Sequence, residues 1–224
     1  MPLPPAASVP GDASSKDGVK AIIEGTRAVV GDRLDVLICN AGIDRTPSID
    51  LLNPPDLDKL TTELFDDVEW SSFAQTFDIN TTALYFLTMG CLPLLRKSDA
   101  PSVINISSVG AFSTERSIGG AAYNASKAAV VQLTRVLAAQ LIPFKVRVNS
   151  IAPGLFLTEM TEPDEQAADE KFAKLYGSIP LGRAGKKEEI AASLLFLGSP
   201  AGGYVNAATL VVDGGHLIMS SAQD

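Results

Sequence analysis

The chain has 224 residues, 46% of them hydrophobic and 20% charged, and a formal net charge of −8. The length and composition suit one globular domain with a sizeable core, and the acidic balance disfavours a nucleic-acid backbone or an anionic membrane surface as partner. No apolar run reaches the roughly 20 residues that span a bilayer, and the start lacks the basic patch and apolar stretch of a secretory signal, so a cytoplasmic protein is expected.

Residues 1–15 are rich in Pro, Ala, Ser and Gly and read as a loop, a frayed terminus or at most one short strand. "SKDGVKAIIEGTRAVVG" then carries apolar residues at helical spacing, with Ser15 as N-cap and Gly31 as stop. "LDVLIC" (34–39) reads as a buried strand. Residues 44–65, with Pro47, Pro54, Pro55 and several acids, read as a surface excursion with one short helical turn. Helical periodicity returns from Val68 to Leu95, with Pro93 marking its last turn. "SVINIS" (102–107) is the next strand, 121–141 a long helix, "VRVNSI" (146–151) a strand, "KKEEIAASLLFLG" (186–198) a helix and "ATLVVDGG" (208–215) a last strand. This alternation predicts an α/β fold, a parallel sheet with helices on both faces. In such sheets ligands bind beyond the carboxyl ends of the strands. The places to inspect are therefore Asn40-Ala41-Gly42, Ser107-Ser108, Ala152-Pro153-Gly154 and Asp213-Gly214-Gly215.

Cys39 and Cys91 sit in apolar runs and read as buried free thiols of a reducing compartment. One histidine, His216, read as a solvated turn residue, and two separated cysteines give no metal-ligand pattern.

Tyr123 and Lys127 lie four residues apart in the long helix, one above the other on one face. An ammonium close to a phenol favours the phenolate and draws the tyrosine down from about 10 toward the range of proton transfer. Around them Ala121, Ala122, Ala125, Ser126, Ala128 and Ala129 are small, which lets the helix pack closely or border a pocket. Upstream, a buried strand ends at Ser107 and Ser108, where a hydroxyl can bond a substrate oxygen while Tyr123 protonates it.

The ordered set "LICNAG", "INTTALY", "NISSVG", "YNASKAA", "VRVNSIAPGLFLTEM" and "LVVDGG" resembles the short-chain dehydrogenase/reductase family over roughly residues 9–215. The resemblance implies a Rossmann-like parallel sheet and a single domain over 1–224, with 1–15 a flexible or rearranged start and 155–180 a substrate lid. It implies Tyr123 as general acid/base and Lys127 as the residue that lowers its pKa and bonds the nicotinamide ribose. Ser108 matches the serine that polarises the substrate carbonyl. Its separation of 15 residues from Tyr123 is slightly long, which keeps Ser107 as a second candidate. Asn80 matches the asparagine that interrupts the central helix and holds a water of the proton relay. Asn40, Ala41 and Gly42 match the segment beside the adenine-side ribose, where Cys39 replaces a commoner asparagine. Pro153, Gly154, Leu155 and Thr158 match the loop over the nicotinamide and its phosphate, and Asp12 the acid near the adenine. The cofactor implied is NADP or NAD, and the partners are a small-molecule substrate and further copies of the chain in a homo-oligomer. The apolar lid residues Phe156, Leu157 and Met160 point to a hydrophobic substrate.

One expected part has no counterpart. The family's glycine-rich turn brings backbone amides and a helix N-terminus to the pyrophosphate, and "VPGDAS" (9–14) corresponds to the end of its third strand. About 50 residues, two strands and two helices, are missing by that pattern. The strand at 34–39 is then left with an open edge, which residues 6–9 or a second chain would cover. Three readings follow: an oxidoreductase acting on a carbonyl or alcohol; a cofactor-independent enzyme that uses the Ser-Tyr-Lys set for isomerisation, dehydration or cyclisation; and an inactive or partner-dependent relative.

Overall fold

Local signals set most of the element boundaries. The computed structural model describes residues 7–47, 56–114, 118–158 and 178–220. The first helix, α1 (Lys16–Val30), starts where the Ser15 hydroxyl accepts the Gly18 amide at 3.1 Å and stops at Gly31, whose φ of 71° lies in the region that favours glycine. Strand β1 follows at Val36–Cys39. Asp56 caps the short α2 (Leu57–Thr61), which runs into a π-helical turn at Thr62–Asp66. The helical stretch expected from 68 to 95 is two helices, α3 (Trp70–Phe77) and α4 (Ala83–Leu95), joined by a π-helical turn at Asp78–Thr82. Strand β2 (Ser102–Ile106), the 21-residue α5 (Ala121–Leu141), β3 (Arg147–Pro153), α6 (Lys187–Gly198), β4 (Thr209–Val212) and α7 (His216–Ser220) complete the order.

The four strands form one parallel sheet in the order β1-β2-β3-β4, with Cys39 opposite Asn105, Asn105 opposite Ser150 and Pro153 opposite Val212. Side chains alternate between the faces. On one face Leu37, Cys39, Val103 and Val148 pack with Leu84, Leu95, Val130 and Leu137 of α4 and α5, with Ile23 of α1 behind them. On the other, Ile104 and Ile151 pack with Leu197, Ile190 and Leu194 of α6. The expected α/β class with helices on both faces is therefore observed. Both cysteines are free and buried, and burial pushes the Cys39 thiol up to about 12.

Among the described residues nothing pairs with the outer edge of β1, and Ile38 in its centre is 45% exposed. Residues 7–9 form no strand there. Instead Val9 packs against Gly25 and Gly11 against Ile22, so the segment leans on α1. Asp12 folds back on Ser14, accepting its amide and its hydroxyl at 2.8 Å each. His216, expected in solvent, is buried. Its Nε2 lies 3.3 Å from the Ser178 hydroxyl, and its amide bonds the Asp213 carbonyl at the end of β4. Among the described residues there is no helix long and apolar enough to cross a membrane and no cluster of metal-ligating side chains.

Candidate active site

Beyond the carboxyl ends of the strands the sheet opens into a cleft of ≈ 670 Å³. Asn40, Ala41 and Gly42 after β1 line it, with Ser107 and Ser108 after β2, Pro153, Gly154 and Thr158 at and after β3, and Tyr123 and Lys127 from α5. Its apolar wall comes from Ile106, Leu155, Phe156 and, from α6, Ile190 and Leu194. The expected residues of the strand ends and of α5 thus meet at one opening; Asn80 and Asp12 do not line it. Asp12 is exposed beside α1. Of the expected lid, residues 159–177, including Met160, lie outside the described residues. Leu155 and Phe156 are pinned by the Gly185 amide on the Leu155 carbonyl, 2.9 Å, and by a bridge from Phe156 to Gly185.

The two serines separate by what their hydroxyls touch. Ser107 donates to the Lys127 carbonyl at 2.8 Å and is a tie between β2 and α5. Ser108 begins a 3-10 turn and accepts the Gly110 amide at 3.1 Å, and its hydroxyl stands close enough to the Tyr123 phenol to draw that group's pKa down. Of the two hydroxyls, that of Ser108 is the one that acts on the Tyr123 phenol.

Lys127 is 3% exposed. Its Nζ donates to the Ile106 carbonyl at 2.9 Å and lies 5.6 Å from the centre of the Tyr123 ring. A Cβ on Gly42 would stand 3.1 Å from that Nζ, so the glycine after β1 leaves room for the amine. Burial pushes the ammonium down from 10.5 to about 8. The same burial pushes the Tyr123 phenol up, against the lowering effect of the Ser108 hydrogen bond; the Asp44 carboxylate adds to the rise. The expected lowering of the phenol by the Lys127 ammonium is not among the influences on Tyr123, where burial dominates.

Asn80, 2% exposed, interrupts the central helix as expected, at the π-helical turn. Its side chain is committed to protein groups. Oδ1 accepts the Ile43 amide at 2.8 Å, and Nδ2 donates to the Ile43 carbonyl and to the Ser126 hydroxyl, both at 2.9 Å. Ser126 in turn donates to the Tyr123 carbonyl at 2.7 Å. Asn80 thus braces α5 and the loop after β1.

Sequence reasoning missed five contributors. Ile190 and Leu194, four apart on α6, carried a signal in their helical spacing. The Ile106 carbonyl carried none, because a backbone acceptor leaves no trace in residue type. Asp44 and Thr46 lie 76 residues before the amides they bind at Gly120 and Ala122, a separation that no local pattern spans. Those bonds occupy the amino end of α5, and among the described residues lining the cleft the one cation is Lys127.

Comparison with known proteins agrees with this arrangement. Residues 2–216 match the family described as enoyl-(acyl carrier protein) reductase. The chain is 35% identical over 218 residues to the short-chain dehydrogenase/reductase PhomF of Diaporthe leptostromiformis, covering 92% of this chain and 73% of that one. It is also 35% identical over 185 residues to the cyclopentanol dehydrogenase of Comamonas testosteroni, covering 83% and 66%. Among solved structures, the Pseudomonas aeruginosa RhlG/NADP active-site complex superposes with a TM-score of 0.77 at 32% identity, covering 93% of this chain and 76% of that one. With the fold, the strand-end cleft and a match over nearly its whole length in agreement, the chain belongs to the short-chain dehydrogenase/reductase family.

Proposed function

We propose that the chain is an oxidoreductase that interconverts a carbonyl and an alcohol on a small hydrophobic substrate, with Tyr123 as general acid/base. The observation that carries this reading is the meeting of the Tyr123 phenol, the Ser108 hydroxyl and the Lys127 amine at one apolar-walled cleft. In the reducing direction the Ser108 hydroxyl and the phenol hold the carbonyl oxygen, and Tyr123 passes its proton to that oxygen as negative charge develops. The upward push of burial keeps the phenol protonated at neutral pH, so the proton is available. Lys127, one turn further along α5, stabilises the phenolate left behind. In the oxidising direction the phenol must first lose its proton, so that rate rises toward alkaline pH. Ile190, Leu194 and Phe156 select for an apolar substrate body.

NADP or NAD supplies or accepts the hydride when bound. The residues around Lys127 and Tyr123, with Asn40, Ala41, Gly42, Pro153, Gly154 and Thr158, suit its nicotinamide–ribose end, and the solved RhlG relative is an NADP complex. Among the described residues that line the cleft there is no arginine and no free helix amino end for its phosphates. That mismatch favours one second reading, cofactor-independent isomerisation, dehydration or cyclisation by the same Ser-Tyr-Lys set. The chain is further read as a homo-oligomer.

Calorimetric titration with NADPH and NADH, together with turnover of cyclopentanone and of an acetoacetyl thioester, separates these readings. Saturable dinucleotide binding, with turnover that falls at least about 100-fold in Tyr123→Phe, is the expected result. Absent binding with Tyr123-dependent conversion of substrate moves the assignment to the second reading. A Tyr123→Phe variant as active as the wild type overturns both.

A further inference from the structure

The helix that carries Tyr123 and Lys127 has no cap of its own. Gly120 stands at its N-cap position and offers no side chain. Leaving the first amides of a helix unpaired costs free energy of the order of a lost cap, about 1 kcal/mol. Here a distant loop supplies the acceptors. The Asp44 carboxylate takes the Gly120 amide at 2.8 Å through Oδ2, and the Thr46 hydroxyl takes the Ala122 amide at 3.2 Å. The same carboxylate, through Oδ1, receives the Thr46 amide at 3.1 Å and the Thr46 hydroxyl at 3.3 Å, so the two side chains hold each other as well as the helix. Thr46 is buried although its loop neighbours are exposed. A Cβ on Gly120 would collide with the Thr46 carbonyl and hydroxyl, so the glycine that fails to cap the helix is what admits the residue that does. The clasp lies between Gly42, which borders the Lys127 amine, and Tyr123, one residue beyond Ala122.

We infer that Asp44 and Thr46 are positioning residues: they clamp the amino end of α5 and thereby fix the Tyr123 hydroxyl against Ser108 and the cleft. The assignment rests on the proposed role of Tyr123, and it deepens that role by explaining what holds the phenol still. A carboxylate at this place also occupies the amino end of α5, charge to dipole.

Asp44→Ala and Thr46→Val test the clasp, with Asp44→Asn and Thr46→Ser as conservative partners. Three readouts are taken. Amide hydrogen exchange at Gly120 and Ala122 is expected to rise about tenfold in the disabling pair. The ring signal of Tyr123, in protein labelled with ¹³C-tyrosine and assigned through Tyr123→Phe, is expected to shift while those of Tyr85 and Tyr204 stay in place. With NADPH and cyclopentanone, kcat is expected to fall about tenfold at unchanged KM, and Thr46→Ser restores all three. Faster exchange with an unmoved Tyr123 signal overturns the inference, because the helix end is then tied without consequence for the phenol. So does a loss of kcat that Thr46→Ser fails to restore. If the wild type converts no probe, the functional reading is the one in trouble, and the exchange rates and the ring signal still decide the clasp.

Discussion

Lys127 holds a charge inside the protein with the Ile106 carbonyl as the acceptor the described residues give it. Its proton is held at about 8 in the folded chain against an ordinary 10.5. Below pH 8 folded and unfolded chains both carry that proton, and the folded one bears the full cost of burying it. Between pH 8 and 10.5 the folded chain sheds the proton first, the unfolded chain binds more, and stability rises with pH. Lys127→Met is therefore expected to be more stable than the wild type at pH 7 by about 2 kcal/mol, the cost of the buried charge less that of the orphaned carbonyl. Urea denaturation at pH 7 and again near pH 10 checks this: the gain shrinks at the higher pH, and a less stable variant at pH 7 contradicts the argument. At this scale the sequence was half legible. The Tyr-Lys spacing is local and readable. Which of Ser107 and Ser108 keeps its hydroxyl for the cleft is not, because both line it and only the Lys127 carbonyl, which takes the Ser107 hydroxyl, tells them apart.

Helix α5 was readable to the residue because its small, apolar pattern runs unbroken from Ala121 to Leu141. The π-helical turn at Asp78–Thr82 was not visible in periodicity. One extra residue per turn barely disturbs the apolar pattern, and the turn is held by Thr81 on the Ser126 carbonyl, 3.1 Å, and by Asn80, partners more than 40 residues away. Helix α6 gives an element-scale test. Arg147, at the start of β3, donates to the carbonyls of Leu197, Gly202 and Val205 at 2.8–3.1 Å, closing the carboxyl end of α6 and the turn beyond it. Arg147→Met leaves those carbonyls without their cation. It is expected to cost about 2–3 kcal/mol and to lower Tm by roughly 5–10 °C, read by calorimetry. An unchanged Tm would mean that α6 is held by its apolar face alone.

For the whole molecule the parallel sheet with helices on both faces was legible from the alternation of elements, its strand order came only with the structure, and the state of its first edge was only anticipated as a problem. The edge of β1 remains unpaired among the described residues, with Ile38 exposed on it. Such an edge is a template for association. Ile38→Lys is expected to reduce concentration-dependent association in light scattering with little change in Tm; equal association in both proteins would assign it to another surface. A different consequence follows from the hydrogen bond of the Gly154 amide to the Val212 carbonyl, 2.9 Å. That bond ties the Pro153–Gly154 turn beside the cleft to β4, the final strand in chain order, which pairs with β3 across some 60 residues. Parallel ladders of this kind contain no hairpin from which to grow, so they form late. On the ribosome, a nascent chain halted before Thr209 has Ser108, Tyr123 and Lys127 already synthesised and still lacks the strand that anchors the Pro153–Gly154 turn.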